Sequence, residues 1–433
     1  MSHITPGRIS QVALDALLDE PLDWRFKGLP TALQGLSIRD TRERGLNLFR
    51  DGFLPPVTVL DEQALNHNIA TMAALCRDHG FAHAPHGKTT MAPQLFASQF
   101  AHGAWGQTAA TASQVRIYRA FGVNRIILAN ELVDAAALRW LVAELDADPG
   151  FEFTAWVDSE RGVDLMTEAV RAADPTRPVD VLIELGVPGG RTGIRDRTTA
   201  LKVAEVVAAS PVLRLTGVAG YEGAVTHDTS AEALASVRAH LADLRALTLD
   251  LAELGHFDGL DQIIVTAGGS AYFDQVIEVL GEPWPIPVLP VLRSGAYITH
   301  DEGFYGRTSP LGDHPRMGSQ PFRPAARAWA QVMSQPEPGL ALVTAGKRDV
   351  PYDIDLPVPV LRRSGDAVGP LTGATMTEIN DQHGFLQVDG TLEVGDWVAL
   401  ALSHPCTIFD KVPILPVVGA DGETVVDLIR TFF

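Results

Sequence analysis

The chain has 433 residues, 46% of them apolar, which is enough to bury a large core and favours two or more domains. Its 34 Lys and Arg stand against 53 Asp and Glu, a formal net charge of -19, which disfavours nucleic acid or an anionic membrane as partner and leaves a small molecule as the default. Only two cysteines occur, Cys76 and Cys406, too few for a disulfide framework in a chain of this length.

In chain order, Met1 to Trp24 mixes Asp15, Asp19 and Glu20 among apolar residues and shows no basic-then-apolar leader. No uncharged apolar run of about 18 residues follows, so the expectation is a cytoplasmic protein without a membrane span. Leu60 to His79 has helical period, and Cys76 falls on its apolar stripe as a small core residue. From about residue 55 to 300, short β-branched runs alternate with helical segments. Strands are expected at 82–86, 105–109, 125–129, 153–157, 179–184, 214–219, 262–266 and 289–293. Helices are expected at 113–121 and 131–145, with a long one carrying Leu234, Val237, Leu241, Leu244, Leu251 and Leu254. Eight strands with helices between them predict an α/β fold, a closed (β/α)8 barrel of the TIM type. After residue 300 the short runs 329–333, 339–344, 385–388, 397–402 and 423–433, set among Pro and Gly, predict a second, mostly antiparallel β domain. The expected division is 1–54 as an N-terminal segment partly joining the β domain, 55–300 as the barrel and 301–433 as the β domain.

Several residues in this plan carry chemistry. Lys88, in Pro85-His86-Gly87-Lys88-Thr89-Thr90, follows the first barrel strand, and a lysine at the C-terminal face of a barrel can form a Schiff base with an aldehyde cofactor. A solvated loop lysine is the plainer alternative. Gly87-Lys88-Thr89 is not a nucleotide-binding P-loop, because that motif needs Gly where Ala82 stands. His404 and Cys406, read as a strand pair pointing to one side, suit zinc better than magnesium or calcium, and two protein ligands leave positions open for water or substrate. A half-buried His and a core Cys remain the alternative. Thr266-Ala267-Gly268-Gly269-Ser270 lies between a strand and a short helix at 272–280, where backbone N–H groups can meet a phosphate, although Gly-Gly-Ser is also a common turn. Glu184, Arg191 and Gly193 fall at or beyond the end of the fifth strand, and Tyr221, Glu222 and Gly223 just beyond the sixth, with His227 four residues further on.

Taken in order, Pro85-His86-Gly87-Lys88, Glu184 with Gly190-Arg191-Thr192-Gly193, Gly220-Tyr221-Glu222-Gly223, Thr266 to Ser270, Ser294-Gly295-Ala296-Tyr297, Ile379 to Gly384 and Ser403-His404-Pro405-Cys406 give a chain that resembles the D-serine dehydratase and D-threonine aldolase family. These are pyridoxal-phosphate enzymes with an alanine-racemase-like barrel and a β domain. The resemblance implies that Lys88 carries the cofactor as an imine, that Gly268, Gly269 and Ser270 hold its phosphate, that His86, Arg191 and Tyr221 contact it, and that His404 and Cys406 bind the metal. It also implies a homodimer acting on a small D-amino acid. Aldolases of the family tend to have His-x-Asp in place of His404-x-Cys406, which moves the reading toward zinc-dependent dehydratases. Ala345 to Asp349 looks like a stretch of bacterial amino-acid deaminases. Ala84 stands where many members have Arg, and Glu222 where aldolases commonly have His. The expected reaction takes a D-3-hydroxy amino acid to a 2-keto acid and ammonia. The alternative is retro-aldol cleavage to glycine and an aldehyde, with His227 as candidate base. A non-catalytic cofactor carrier is a third reading, against which the extra β domain argues.

Overall fold

The computed structural model describes residues 4–390 and 392–433, so the first three residues of the N-terminal segment lie outside it. Eight parallel strands form the barrel: Ala82–His83, Gln107–Ala109, Arg125–Glu131, Glu152–Val157, Val179–Leu185, Leu213–Gly220, Ile263–Ala267 and Val288–Leu292. The eighth pairs with the first, and a parallel bridge between His86 and Thr108 joins the first to the second, so the sheet closes. The helices outside it begin at residues whose side chains accept the first free N–H groups. Asp61, Thr111, Asp134, Ser159, Asp196 and Ser230 cap in this way, each at a change from extended to helical backbone.

Val57–Asp61, expected within the barrel segment, belongs to the other sheet. It pairs antiparallel with Ala326–Glu337 and parallel with Ile414–Val418. Its five residues are almost all buried, and a short apolar run bears no mark of which sheet will receive it. The second domain is thus a mostly antiparallel sheet that recruits residues from both ends of the chain; Leu46–Asn47 pairs with Thr424–Arg430. Phe26 is buried in the cluster that holds Trp329 and Leu428, whereas Trp24 is exposed. Among the described residues no helix is long and apolar enough to cross a membrane.

The sixth barrel strand lies so close to the seventh that Gly217 has no room for a side chain: a Cβ there would sit 1.8 Å from the Ile264 carbonyl oxygen. Gly217→Ala must push the two strands apart, at a cost of about 3 kcal/mol, and is expected to lower the thermal midpoint by several degrees. An unchanged melting curve would contradict this packing.

Candidate active site

One cavity of about 550 Å³ opens at the C-terminal face of the barrel, where the β domain meets it. Lys88, His86, Arg191, Tyr221, Gly268, Gly269, Ser270, His404 and Cys406 all line it, although they come from segments more than 300 residues apart. His227 does not line it. That residue is exposed on the segment beyond the turn Glu222–Ala224, so the structure gives it no place beside Lys88.

Lys88 sits in the single 3-10 turn Gly87–Thr89. The turn is seated on the barrel rim because Gly87 lacks a side chain; a Cβ would lie 2.5 Å from Tyr118 Oη and 2.8 Å from Gln107 Nε2. Burial, the largest influence, lowers the Lys88 amine below its ordinary 10.5, with Cys406 opposing the shift and Arg191 and Arg293 adding to it. A neutral amine, the form that attacks an aldehyde, is therefore reached at lower pH than for a surface lysine.

His404 and Cys406 do not converge as strand neighbours. The strand ends at Ala401, His404 is left-handed with φ 62°, and Pro405–Thr407 forms a 3-10 turn. Such a backbone costs about 1 kcal/mol, and specific partners hold it. The His404 N–H donates to Asp301 Oδ2 at 3.1 Å, and the buried Asp301 carboxylate also accepts from the N–H groups of Gly303, Tyr305 and Gly306. His404 Nδ1 pairs with Asp353 Oδ2, while Asp353 Oδ1 accepts from Thr407 Oγ1 at 2.9 Å. With Nδ1 engaged, Nε2 is the nitrogen left for a metal. On the barrel side Thr89 Oγ1 is 3.8 Å from Cys406 Sγ, so the lysine turn and the metal-pair turn touch.

The glycine loop differs from its expected role. The Gly268 and Gly269 N–H groups donate to the Glu222 carboxylate at 2.9 and 2.5 Å, so the two donors assigned to phosphate are already engaged. Glu222 is fully buried, and its carboxyl is raised by burial against the pull of those N–H groups. Gly268 has φ 117°, open to glycine, and a Cβ on Gly269 would fall 2.9 Å from the Tyr221 ring. Arg191 lies 4.4 Å above that ring. Ser270, Ser294, Gly295 and Ala296 complete this wall.

Arg293, absent from the sequence expectations, is 2% exposed, donates to Thr266 Oγ1 and the Gly220 carbonyl, and lies 4.9 Å over the Trp156 ring. Its only sequence signal was adjacency to Ser294-Gly295. Asp353 lies four residues beyond the Ala345–Asp349 stretch and gave no pattern of its own. The residues present fit pyridoxal phosphate, a ligand with both ring and anionic polar atoms. Arg293 Nε, His86 Nδ1 and Trp156 Nε1 are buried in the cavity wall without a partner among the described residues, Lys88 offers the amine, and Ser270 with the small residues Gly269, Gly295 and Ala296 leaves space for a phosphate. A thiolate and an imidazole fit zinc.

Residues 60–275 match the alanine racemase N-terminal domain family, and residues 325–418 match the family described as "Putative serine dehydratase domain". The chain belongs to the alanine-racemase-like, fold-type III pyridoxal-phosphate family. It is 28% identical over 343 residues to D-threonine aldolase of Arthrobacter sp, covering 79% of this chain and 82% of that one. The structure of D-threonine aldolase from Filomicrobium marinum superposes with TM-score 0.74 at 25% identity, covering 89% of this chain and 97% of the other. D-threo-3-hydroxyaspartate dehydratase from Delftia sp. HT23 shares the fold, with TM-score 0.69 and 23% identity over 88% and 98% of the two chains. The protein is accordingly a pyridoxal-phosphate enzyme of the alanine racemase fold, of the aldolase or dehydratase kind.

Because Asp353 fixes the ring of His404, Asp353→Asn should weaken zinc binding about 10- to 100-fold in competition with a chromophoric chelator, with the circular dichroism spectrum unchanged. Equal zinc affinity in the variant would remove Asp353 from the site.

Proposed function

We propose that the protein is a pyridoxal-phosphate- and zinc-dependent dehydratase that converts a D-3-hydroxy amino acid to a 2-keto acid and ammonia. The observation that carries this is the meeting of the Lys88 amine and the His404–Cys406 pair in one cavity, which the candidate retro-aldol base His227 does not line and where position 222 is Glu, not His. His227 is exposed outside the cavity, and Glu222 is bound to the glycine loop. The His-x-Cys spacing also agrees with a D-threo-3-hydroxyaspartate dehydratase solved as a His-to-Ala mutant and, two positions later, as a Cys-to-Ala mutant in a metal-free form.

When bound, pyridoxal phosphate supplies an electron sink and zinc a Lewis acid for the β-oxygen. The chain's own residues then divide the work. Lys88 would hold the cofactor through its amine, and the same amine would be the base for the Cα proton of the substrate. His404 and Cys406 would hold the metal, which would supply a Lewis acid for the β-hydroxyl, and Asp353 and Asp301 keep that turn in place. Arg191 and Arg293 give the cavity the positive charge that an anionic cofactor and a carboxylate substrate require.

Overall similarity favours a second reading, retro-aldol cleavage to glycine and an aldehyde. The curated relatives are D-threonine aldolase at 28% and 3-hydroxy-D-aspartate aldolase of Paracoccus denitrificans (strain Pd 1222) at 26% identity, the latter over 82% of this chain and 87% of its own. In that reading the metal pair acidifies the β-hydroxyl. A homodimer, implied by the family, would sediment at twice the monomer mass.

The protein loaded with pyridoxal phosphate and zinc, given D-serine and D-threonine, is expected to release keto acid and ammonia in equal amounts. Glycine with equal aldehyde would establish the second reading instead. Lys88→Ala should lose the cofactor's imine absorbance, whereas Cys406→Ala should keep it and lose both zinc and turnover. Full turnover by zinc-free Cys406→Ala would overturn the metal's role.

A further inference from the structure

Glu184 lines the cavity, and its carboxyl group meets that of Glu131 from two strands away. Glu131 ends the third barrel strand, Glu184 lies one residue from the end of the fifth, and Trp156 stands between them on the fourth, in register with Glu131. Glu184 is 4% exposed and lines the cavity. The two carboxyl groups touch each other, yet both oxygens of Glu131 and Oε2 of Glu184 are buried without a hydrogen-bond donor among the described residues. Trp156, also 4% exposed and lining the cavity, carries an unpartnered Nε1–H in the same wall. Two buried carboxylates in contact repel strongly; one proton between them converts the repulsion into a hydrogen bond.

We propose that Glu131 and Glu184 share a single proton through neutral pH, so that the pair sets one negative charge rather than two against an anionic oxygen of the bound molecule. This rests on the reading that the cavity takes pyridoxal phosphate and an amino acid, both of them anions. The surroundings agree with it. Asp158, from the turn after the fourth strand, adds negative charge beside both groups, while Thr192 and Arg293 favour the ionised form of Glu184. Burial, then the charge of Glu184, pushes the Glu131 carboxyl up to about 8, and burial raises Glu184 as well. As pH rises through that value the shared proton is lost, the pair becomes dianionic, and the added charge repels an anionic ligand. Glu131 is thus a positioning residue, acting on the ligand through the charge of Glu184, which lines the cavity.

Glu131→Gln imitates the proton-loaded pair at every pH, because its amide donates to Glu184 and one charge remains. Infrared difference spectra of the apoprotein between pH 7 and pH 9.5, values chosen to bracket about 8, should show loss of a protonated-carboxyl C=O band in the wild type that is missing in Glu131→Gln and in Glu184→Gln. A band equal in all three proteins would overturn the shared proton, and this readout does not depend on cofactor or activity. For the positioning role, wild-type affinity for pyridoxal phosphate, followed by fluorescence, should fall several-fold over the same interval and stay level in Glu131→Gln. If only the KM for D-serine loses its alkaline rise in the variant, the oxygen belongs to the substrate carboxylate. Identical pH dependence of both quantities in the two proteins would overturn the role. Failure of the wild type to bind pyridoxal phosphate at any pH would overturn the function reading and the positioning role, with the infrared result still deciding the shared proton.

Discussion

The contact between the Lys88 turn and the His404–Cys406 turn is the interaction on which the rest of the molecule depends. Neither turn makes a site alone. One offers an amine on a barrel rim, the other a two-ligand metal pair in a left-handed bend. What joins them is a set of long-range hydrogen bonds at the seam. Gln94, on the helix that follows Lys88, donates to the Leu428 carbonyl at 2.7 Å and accepts from the Arg430 N–H at 2.9 Å; the Phe432 N–H reaches the Met91 carbonyl at 3.0 Å. The C-terminal strand is thereby fastened to the segment that carries the lysine. Asp301 does the same for the linking residues, tying the turn after the barrel to the His404 backbone.

The electrostatics follow from this enclosure. The chain as a whole is strongly acidic, yet its cavity gathers Lys88, Arg191 and Arg293, and in the proposed function it would hold an anionic cofactor and a carboxylate substrate. Each acid in or behind the cavity wall needs some means of neutralisation. Glu222 has two backbone N–H groups, and Glu131 and Glu184 have each other. A low-dielectric site punishes an uncompensated charge, so the arrangement of these acids is as much a part of ligand binding as the bases are.

Much of this was legible in the sequence, and the reason is local. Parallel barrel strands are short apolar runs set between amphipathic helices, most of them opened by a capping Asp, Ser or Thr, so the alternation is written residue by residue. Lys88 and the His404-x-Cys406 pair stood out as candidates only through the seven motifs in order, since a loop lysine and a core His and Cys were open readings of each alone. The parts that were not legible depend on non-local pairing. Val57–Asp61 has the composition of a barrel strand and joins the other sheet. Asp353 meets His404 across 51 positions. Glu222 could be placed beyond a strand, but not in the hands of Gly268 and Gly269. His227 failed for the opposite reason: nearness in sequence to Tyr221 did not bring it into the cavity. The strand geometry assumed for His404 and Cys406 was also replaced by a bend, because Pro405 and the Asp301 bond favour a turn there.

The most direct test of the claim that amine and metal work in one cavity is anomalous diffraction at the zinc edge from crystals loaded with pyridoxal phosphate and zinc. The account predicts a zinc peak at about 2.0–2.3 Å from His404 Nε2 and Cys406 Sγ, in the same cavity as continuous density from Lys88 Nζ to the cofactor. Zinc bound elsewhere, or cofactor density detached from Lys88, would contradict it.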